Sequence, residues 1–354
     1  MNFDLTDDRR MLADTLNRYL SDKYSAEHRT KVAYDAPYHD PEKWAELVEL
    51  GILFALAPED AGGFGGSGFD ISVVFEALGR ANCPEPILPA LLATRLLVSA
   101  GENLESLLSG EKHYAAALGE IDAPYDLSGI QTTATAKDGG HNLSGRKSAV
   151  YGGQVADIFL VAAKLDGNLA LFEIQASDAQ IETYGMIDGG GAAELLLDNT
   201  PARLVMADAG TALQDAMNAG ALAVCAEAVG LMDVTHDTTI DYMKMRQQFG
   251  RAIGSFQVLQ HRAVDMLTEI EQARSIVIKA ASELDGENAS RYVSMAKNLV
   301  GRAARLNSEE AIQMHGGIAM TWEYPVSHYA KRLIMIDHQF GDTDFHLTRI
   351  MNDL

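Results

Sequence analysis

Apolar residues recur along the chain with two different periods, and the period changes twice. In the first part they return every three or four residues, as at Met11, Leu12, Leu16 and Leu20, which is the spacing of an amphipathic helix. Thr6, a residue type favoured as a helix N-cap, comes just before this run. Three further helices are predicted at Trp44-Leu47-Leu50-Leu53, 69–78 and 88–100.

Residues 113–205 have short apolar runs separated by glycine and aspartate. Short runs between turn residues are typical of strands. Strands are predicted at 115–118, 132–136, 158–163, 170–174 and 194–197, and Asp138-Gly139-Gly140-His141 predicts a turn between two of them. This pattern indicates a small β-barrel or sandwich.

The long helical pattern returns after residue 206. Helices are predicted at 212–235, 237–246, 256–284, 289–316 and 329–351, and four of these are long enough to form a bundle. The predicted fold class is therefore α+β and multidomain. It comprises an N-terminal α-helical domain (1–112), a middle β-barrel or sandwich domain (113–205) and a C-terminal four-helix-bundle domain (206–354).

The composition narrows the possible partners. The chain has 354 residues and a net charge of −22, so nucleic acid and anionic membrane surfaces are not expected to bind it. Two cysteines, Cys83 and Cys225, form neither a disulfide framework nor a zinc cluster, and no metal site is expected. The N-terminus lacks the apolar core of a signal peptide, and no segment reads as a membrane-spanning helix. A reducing, cytoplasmic location is expected.

Two short motifs carry candidate chemistry. Arg246, Phe249 and Gln257 lie between two predicted helices, where a guanidinium, a ring and a carboxamide suit a diphosphate and its heterocycle. The alternative is a helix–loop–helix turn with a core Phe. The second motif is Gln313-Met314-His315-Gly316-Gly317, whose glycines let backbone amides approach an anion. The alternative there is a plain helix C-cap with a structural histidine.

Both motifs together resemble the acyl-CoA dehydrogenase family. The resemblance includes Thr321-Trp322-Glu323-Tyr324-Pro325 and the Gly-rich segment 57–66. The resemblance implies FAD, an acyl-CoA thioester substrate, and removal of an α-proton by a carboxylate with β-hydride transfer to flavin. In the family, a neighbouring subunit's C-terminal domain holds the ADP half of FAD. The residues that match this half-site are Arg246, Phe249, Gln257, Gln313, Gly316 and Gly317.

The sequence departs from the family where the catalytic base should be. The family's Tyr-Glu-Gly-Thr stretch corresponds to Phe340-Gly341-Asp342-Thr343, so the Glu position is Gly341. The other position that some members use for the Glu falls near Gly220. Asp342 is the candidate replacement base, or else it caps the following helix together with Asp344. Glu227 is either a paired polar residue of the core or an alternative base.

The segments that contact the flavin ring in the family also differ. Residues 118–126 do not match the loop that covers the ring, and the Trp-Ile-Thr-Asn segment is replaced by Ala149-Val150-Tyr151-Gly152. The chain thus lacks the residues that contact the flavin ring and the catalytic base, but it keeps those that match the ADP half-site. This combination resembles the smaller, degenerate subunit of heteromeric acyl-CoA dehydrogenases of the steroid side-chain or pimeloyl-CoA type.

Three hypotheses follow from the resemblance. In the first, the chain is the weakly catalytic or non-catalytic, ADP-binding subunit of a heterotetramer with another acyl-CoA dehydrogenase chain. In the second, it is an active homotetramer with Asp342 as base. In the third, it is a flavin-free binding protein that kept the fold. An electron-transferring flavoprotein is the acceptor that the family suggests.

Overall fold

The computed structural model describes residues 5–137 and 139–352, which form twelve α-helices and nine strands. The helices are α1 (Asp7–Lys23), α2 (Ala26–Tyr34), α3 (Pro41–Glu49), α4 (Ile52–Ala55), α5 (Gly68–Ala81), α6 (Ile87–Ala100), α7 (Glu105–Leu108), α8 (Gly210–Met245), α9 (Gln257–Glu283), α10 (Ala289–His315), α11 (Pro325–Asp337) and α12 (Thr343–Asn352). The strands are β1 (Tyr114–Ala117), β2 (Thr133–Lys137), β3 (Gly140–Tyr151), β4 (Ile158–Leu165), β5 (Asn168–Gln175), β6 (Gln180–Gly185), β7 (Gly191–Met206), β8 (Gln247–Gln248) and β9 (Arg251–Ala252).

The chain divides into two compact units. The first comprises the residues up to Arg29, Ser67–Cys83 and those from Ala221 onward, and the second comprises Thr30–Gly66 and Pro84–Gly220. In the first unit α10 packs against α9, α11 and α12. The predicted helical bundle and the α+β class are confirmed, whereas the three domain boundaries remain a prediction.

The second unit contains a closed β-sheet. Strands β4, β2, β3, β7 and β5 pair in that order, and β5 pairs back with β4. Strand β1 pairs with β4 in parallel, and β6 pairs in antiparallel with the N-terminal part of β7. Apolar side chains such as Phe159, Phe172 and Leu195 fill the core. The predicted middle barrel is therefore confirmed.

Several predicted elements differ in detail. The helices expected at 212–235 and 237–246 are one continuous helix, α8, within which the Thr235 and Thr239 hydroxyls donate to carbonyls one turn back. The helix expected across Leu47 and Leu53 is broken, because Gly51 has a φ of 83°. The segment expected at 329–351 forms two helices, α11 and α12.

Among the described residues, α8 is long and apolar enough to cross a membrane by length and composition. However, 89% of its most apolar window is buried inside the protein, as expected of a core helix of a globular chain.

Candidate functional site

The first predicted motif forms a hairpin at the end of α8. Strands β8 and β9 pair across a two-residue turn, Phe249-Gly250, and both turn residues have positive φ, as a type I′ turn requires. The Phe249 ring is 91% exposed, so the alternative of a core Phe is wrong. Arg246 and Gln257, on either side of the hairpin, are also exposed.

The second motif ends α10. Gly316 has a φ of 69° and a ψ of −148°, and its N–H donates to the Ile312 carbonyl, so it does cap the helix. Nothing lies within 4 Å of the place where a Cβ would sit on Gly316 or Gly317. Gln313 is exposed on the last turn of α10. The backbone of both glycines is therefore open to a ligand.

A shared core holds the two motifs at the same end of the bundle. Met243 of α8, Met266 of α9 and Met314 of α10 belong to one buried apolar cluster. The Tyr242 ring stacks on His315 with 4.5 Å between centroids. His315 is buried and its Nδ1 donates to the Ala311 carbonyl at 2.8 Å. These contacts agree with a structural role for this histidine.

The chemistry of this end of the bundle fits the ADP half of FAD. A guanidinium at Arg246 matches phosphate oxygens, and the Gln257 and Gln313 carboxamides can both donate and accept hydrogen bonds. Unobstructed glycine backbone at Gly316 and Gly317 allows close approach of an anion. None of these residues has a carboxylate or another side chain that acts as a base.

The segment at the family's base position is tightly packed around Gly341. Gly341 is buried with a φ of 105°, and a Cβ there would lie 2.5 Å from Phe345 and 2.6 Å from His346 Nε2. The His346 Nε2–H donates to the Phe340 carbonyl at 2.9 Å, and the Ser294 hydroxyl donates to Nδ1 at 3.1 Å. Burial lowers the pKa of His346 to about 3, with a smaller contribution from Lys297. No side chain fits at position 341 in this conformation.

The two carboxylates considered as alternative bases both have structural partners. Asp342 Oδ1 accepts the Phe345 N–H at 2.8 Å, so the helix-cap reading of Asp342 is confirmed. Glu227 forms a bidentate ion pair with Arg332, in which both N–O distances are 2.6 Å. Only 7% of Glu227 is exposed. Glu227 is thus a paired polar residue of the core.

In the second unit, the segment that replaces the family's flavin-packing stretch is bound to the sheet. Ala149 has a φ of 50° at an irregularity between β3 and β7. The Glu194 carboxylate accepts the Ala149 N–H at 3.1 Å and the hydroxyls of Ser148 and Tyr184 at 2.9 and 3.1 Å. Burial and the nearby Glu194 raise the pKa of Tyr184 to about 12. This segment presents neither an indole nor a threonine hydroxyl.

Sequence reasoning missed a buried ion pair beside this segment. Lys147 Nζ lies 2.9 Å from Glu120 Oε1, and the Thr132 hydroxyl donates to the same oxygen at 2.6 Å. Burial opposes ionisation of Glu120, but hydrogen bonds from Thr132 and Lys147 outweigh it and lower its pKa to about 2. Burial lowers the pKa of Lys147 to about 8. Glu120 follows β1 in a loop and Lys147 lies beside Arg146 and Ser148 in β3, so neither local sequence marks the pair.

Comparison with known proteins gives consistent matches over most of the chain. The model of the acyl-CoA dehydrogenase N-terminal domain matches residues 6–103, and that of the acyl-CoA dehydrogenase C-terminal domain matches residues 209–354. The acyl-CoA dehydrogenase IpdE2 of Mycolicibacterium smegmatis is 30% identical over 93% of this chain and 93% of its own length.

Two further comparisons extend this result. The acyl-CoA dehydrogenase FadE34 of Mycobacterium tuberculosis is 32% identical over 87% of this chain, which spans 41% of that protein's length. A solved structure described as the Tcur3481-Tcur3483 steroid ACAD G363A variant superposes with a TM-score of 0.91 at 26% identity. That match covers 98% of this chain and 97% of the other.

Proposed function

Since the chain belongs to the acyl-CoA dehydrogenase family, whose members are FAD-dependent oxidoreductases, we propose that it is an ADP-binding subunit of a heteromeric acyl-CoA dehydrogenase. In this role the chain contributes affinity for the nucleotide half of FAD. A second acyl-CoA dehydrogenase chain supplies the catalytic carboxylate and the pocket for the flavin ring. The similar solved structure is described as Tcur3481-Tcur3483, a designation that joins two names, and this supports a heteromeric arrangement.

Under this proposal each residue of the half-site has a binding role. Arg246 pairs with diphosphate oxygens, Phe249 packs on a flat face, and Gln257 and Gln313 recognise hydrogen-bonding edges. Backbone at Gly316 and Gly317 admits the phosphates. The flavin ring, when FAD is bound, supplies the oxidant for α,β-dehydrogenation of an acyl-CoA thioester.

The observation that carries the proposal is the lack of space for a side chain at Gly341. A missing carboxylate alone could reflect a small shift of the base along the chain. Here the position also has a φ of 105° and no space for a Cβ. The adjacent Asp342 carboxylate is bonded to the helix it caps. A base from this segment would therefore require a different loop conformation.

We expect Arg246→Ala to weaken FAD binding about tenfold or more, because a charge-assisted phosphate contact is lost, worth about 1.5–3 kcal/mol. The assay is visible flavin absorbance of the purified assembly, made by co-producing this chain with an acyl-CoA dehydrogenase chain that keeps its glutamate. Lys244→Ala is the matched control, since it removes the same charge from an exposed residue that pairs with Asp241. Equal flavin loss in both variants would contradict the assignment.

The chain produced alone should contain little flavin and should not oxidise acyl-CoA. Flavin and turnover from the isolated chain would favour the homotetramer, and absence of flavin even with a partner would favour the flavin-free binding protein. These outcomes separate the three hypotheses in one set of purifications.

Asp342→Ala should cost about 1 kcal/mol of stability, the usual effect of losing an N-cap, and leave the turnover of the assembled enzyme unchanged. Asp342→Ser keeps a cap acceptor but removes the carboxylate, so it should recover most of the stability. Urea unfolding and steady-state turnover measure the two effects. Loss of turnover in Asp342→Ser, with stability kept, would instead identify Asp342 as the base.

A further inference from the structure

Two histidines lie side by side within the second unit. His39 precedes α3 and His113 precedes β1, and their ring centroids are 5.5 Å apart with an interplanar angle of 75°. The His113 ring also packs on the indole of Trp44 in α3, with 4.6 Å between centroids. His39 is buried and His113 is partly buried. Two titratable rings are thus in contact where the start of α3 meets the start of the barrel.

One buried carboxylate lies beside the pair. Glu85 precedes α6, and its side chain is fully buried. The His39 Nδ1–H donates to Glu85 Oε2 at 3.3 Å, and the Asp40 N–H donates to Oε1 at 3.0 Å. Both oxygens of Glu85 therefore hold the segment that leads into α3. This single carboxylate balances the charge of one imidazolium ring.

The other charged groups around the pair are partly exposed or serve the backbone. Asp157 accepts the His113 backbone N–H at 2.9 Å, lies 3.8 Å from Lys112 and has a side chain that is 40% exposed. Asp40 caps α3 with its own carboxylate. Burial and the neighbouring His39 lower the pKa of His113, and Asp157 opposes this shift. The packed arrangement therefore favours a neutral His113.

A second proton on the pair has a direct physical cost. With both rings charged, two cations are held in contact beside one buried carboxylate. The ordinary pKa of histidine is 6.5, and that of His113 is lower when the rings are packed. A form in which the rings separate and become hydrated takes up the proton first as the pH falls. The packed form is therefore fully stable above about pH 6.5 and loses stability below it.

We propose that His39, Glu85 and His113 form an acid-sensitive latch that holds the start of α3 against the start of β1. At neutral pH the packed rings keep the latch closed. In acid, repulsion between two imidazolium rings opens it. Strand β1 leads from His113 into residues 118–126, which replace the family's loop over the flavin ring, so opening of the latch loosens the attachment of this segment. The inference is independent of the proposed ADP half-site.

Hydrogen exchange measured by mass spectrometry on the full chain tests the latch, in peptides covering 36–44 and 112–118. The parent is compared with His113→Phe at the same pH, because intrinsic exchange rates then nearly cancel and an uncharged ring still packs on Trp44. We expect equal exchange at about pH 7.5, and exchange about threefold or more faster in the parent at about pH 5.5. His261→Gln, which removes an exposed histidine of α9, should behave as the parent does.

Two further variants change the charge of the latch in opposite directions. His39→Gln keeps a donor to Glu85 and removes one positive charge, so it should weaken the acid response. Glu85→Gln keeps an acceptor for the Asp40 N–H and removes the counter-charge, so it should strengthen the response and move it to higher pH. This comparison stands without His113→Phe if that variant does not fold.

Circular dichroism at each pH shows whether the variants are folded and whether opening is local. Equal exchange in the parent and in folded His113→Phe at about pH 5.5 would overturn the proposal. An acid response in His39→Gln as large as that of the parent would also overturn it, since the second charge would not be the cause. So would loss of the parent's helical signal at this pH, because the transition would then be global unfolding. Flavin is not measured, so failure here leaves the ADP half-site to its own test.

Discussion

The Gly341→Glu variant, which restores the family's residue at the base position, should be less stable than the parent by about 4 kcal/mol. It should also gain no dehydrogenase activity. A side chain at a φ of 105° is strained by about 1–3 kcal/mol. Its Cβ also meets Phe345 and His346 at about 2.5 Å, and overpacking of this kind typically costs about 1–3 kcal/mol. Urea unfolding and acyl-CoA oxidation, alone and in the assembly, are the measurements.

Two further variants separate the causes. Because the conflict starts at the Cβ, Gly341→Ala should already cost about 3 kcal/mol. Gly167 has a φ of +88° with nothing within 4 Å of its Cβ position, so Gly167→Ala reports backbone strain alone and should cost about 1 kcal/mol. A stable, active Gly341→Glu enzyme would contradict the closed-loop argument and would show that the loop readily changes conformation.

The lack of space at Gly341 depends on residues that are brought together only by folding. The sequence therefore indicates that the base is missing, but it does not show why a carboxylate cannot be restored there. The motif Phe340-Gly341-Asp342-Thr343 identifies the substitution. The obstruction comes from Phe345 and His346, and His346 is held by Ser294 on another helix. Only the folded structure brings these residues together.

The fold was predictable wherever one face of an element is buried, because burial imposes a period on the sequence. Strand β6 was missed, since none of its residues is fully buried. Strand β3 was missed because only three of its twelve residues are buried and polar residues interrupt them. Long apolar helices such as α6 were found to within one residue.

The candidate site was predictable to a different extent in its two halves. The family resemblance and the FAD cofactor are confirmed by the comparisons. The structure places Arg246 and Gly316 at one end of the bundle through the cluster containing Met243 and Met314. The local motifs alone did not show that arrangement. The role of each site residue remains a prediction for the flavin-binding experiments.

Lys147→Met should lower the free energy of unfolding by about 3–5 kcal/mol, the usual result of removing one partner of a buried ion pair. Lys147 is fully buried, and its removal leaves the Glu120 carboxylate with neutral donors only. The pair also fixes the start of the segment containing Ala149, so its loss loosens the region that replaces the family's flavin-packing stretch. Urea unfolding measures the stability.

The double variant Lys147→Met with Glu120→Gln should be much closer to the parent, because both charges are removed together while the carboxamide oxygen still accepts the Thr132 N–H. The pH dependence gives a second readout. The pKa of Glu120 is about 2 in the folded chain against an ordinary 4.5, so the unfolded state takes up the proton first as the pH falls. The stabilisation due to Glu120 is therefore complete above about pH 5 and is lost toward pH 2. The parent should show this loss and the double variant should lack it. Equal acid sensitivity in both proteins, or a double variant as unstable as Lys147→Met, would mean that the pair does not hold this part of the barrel together.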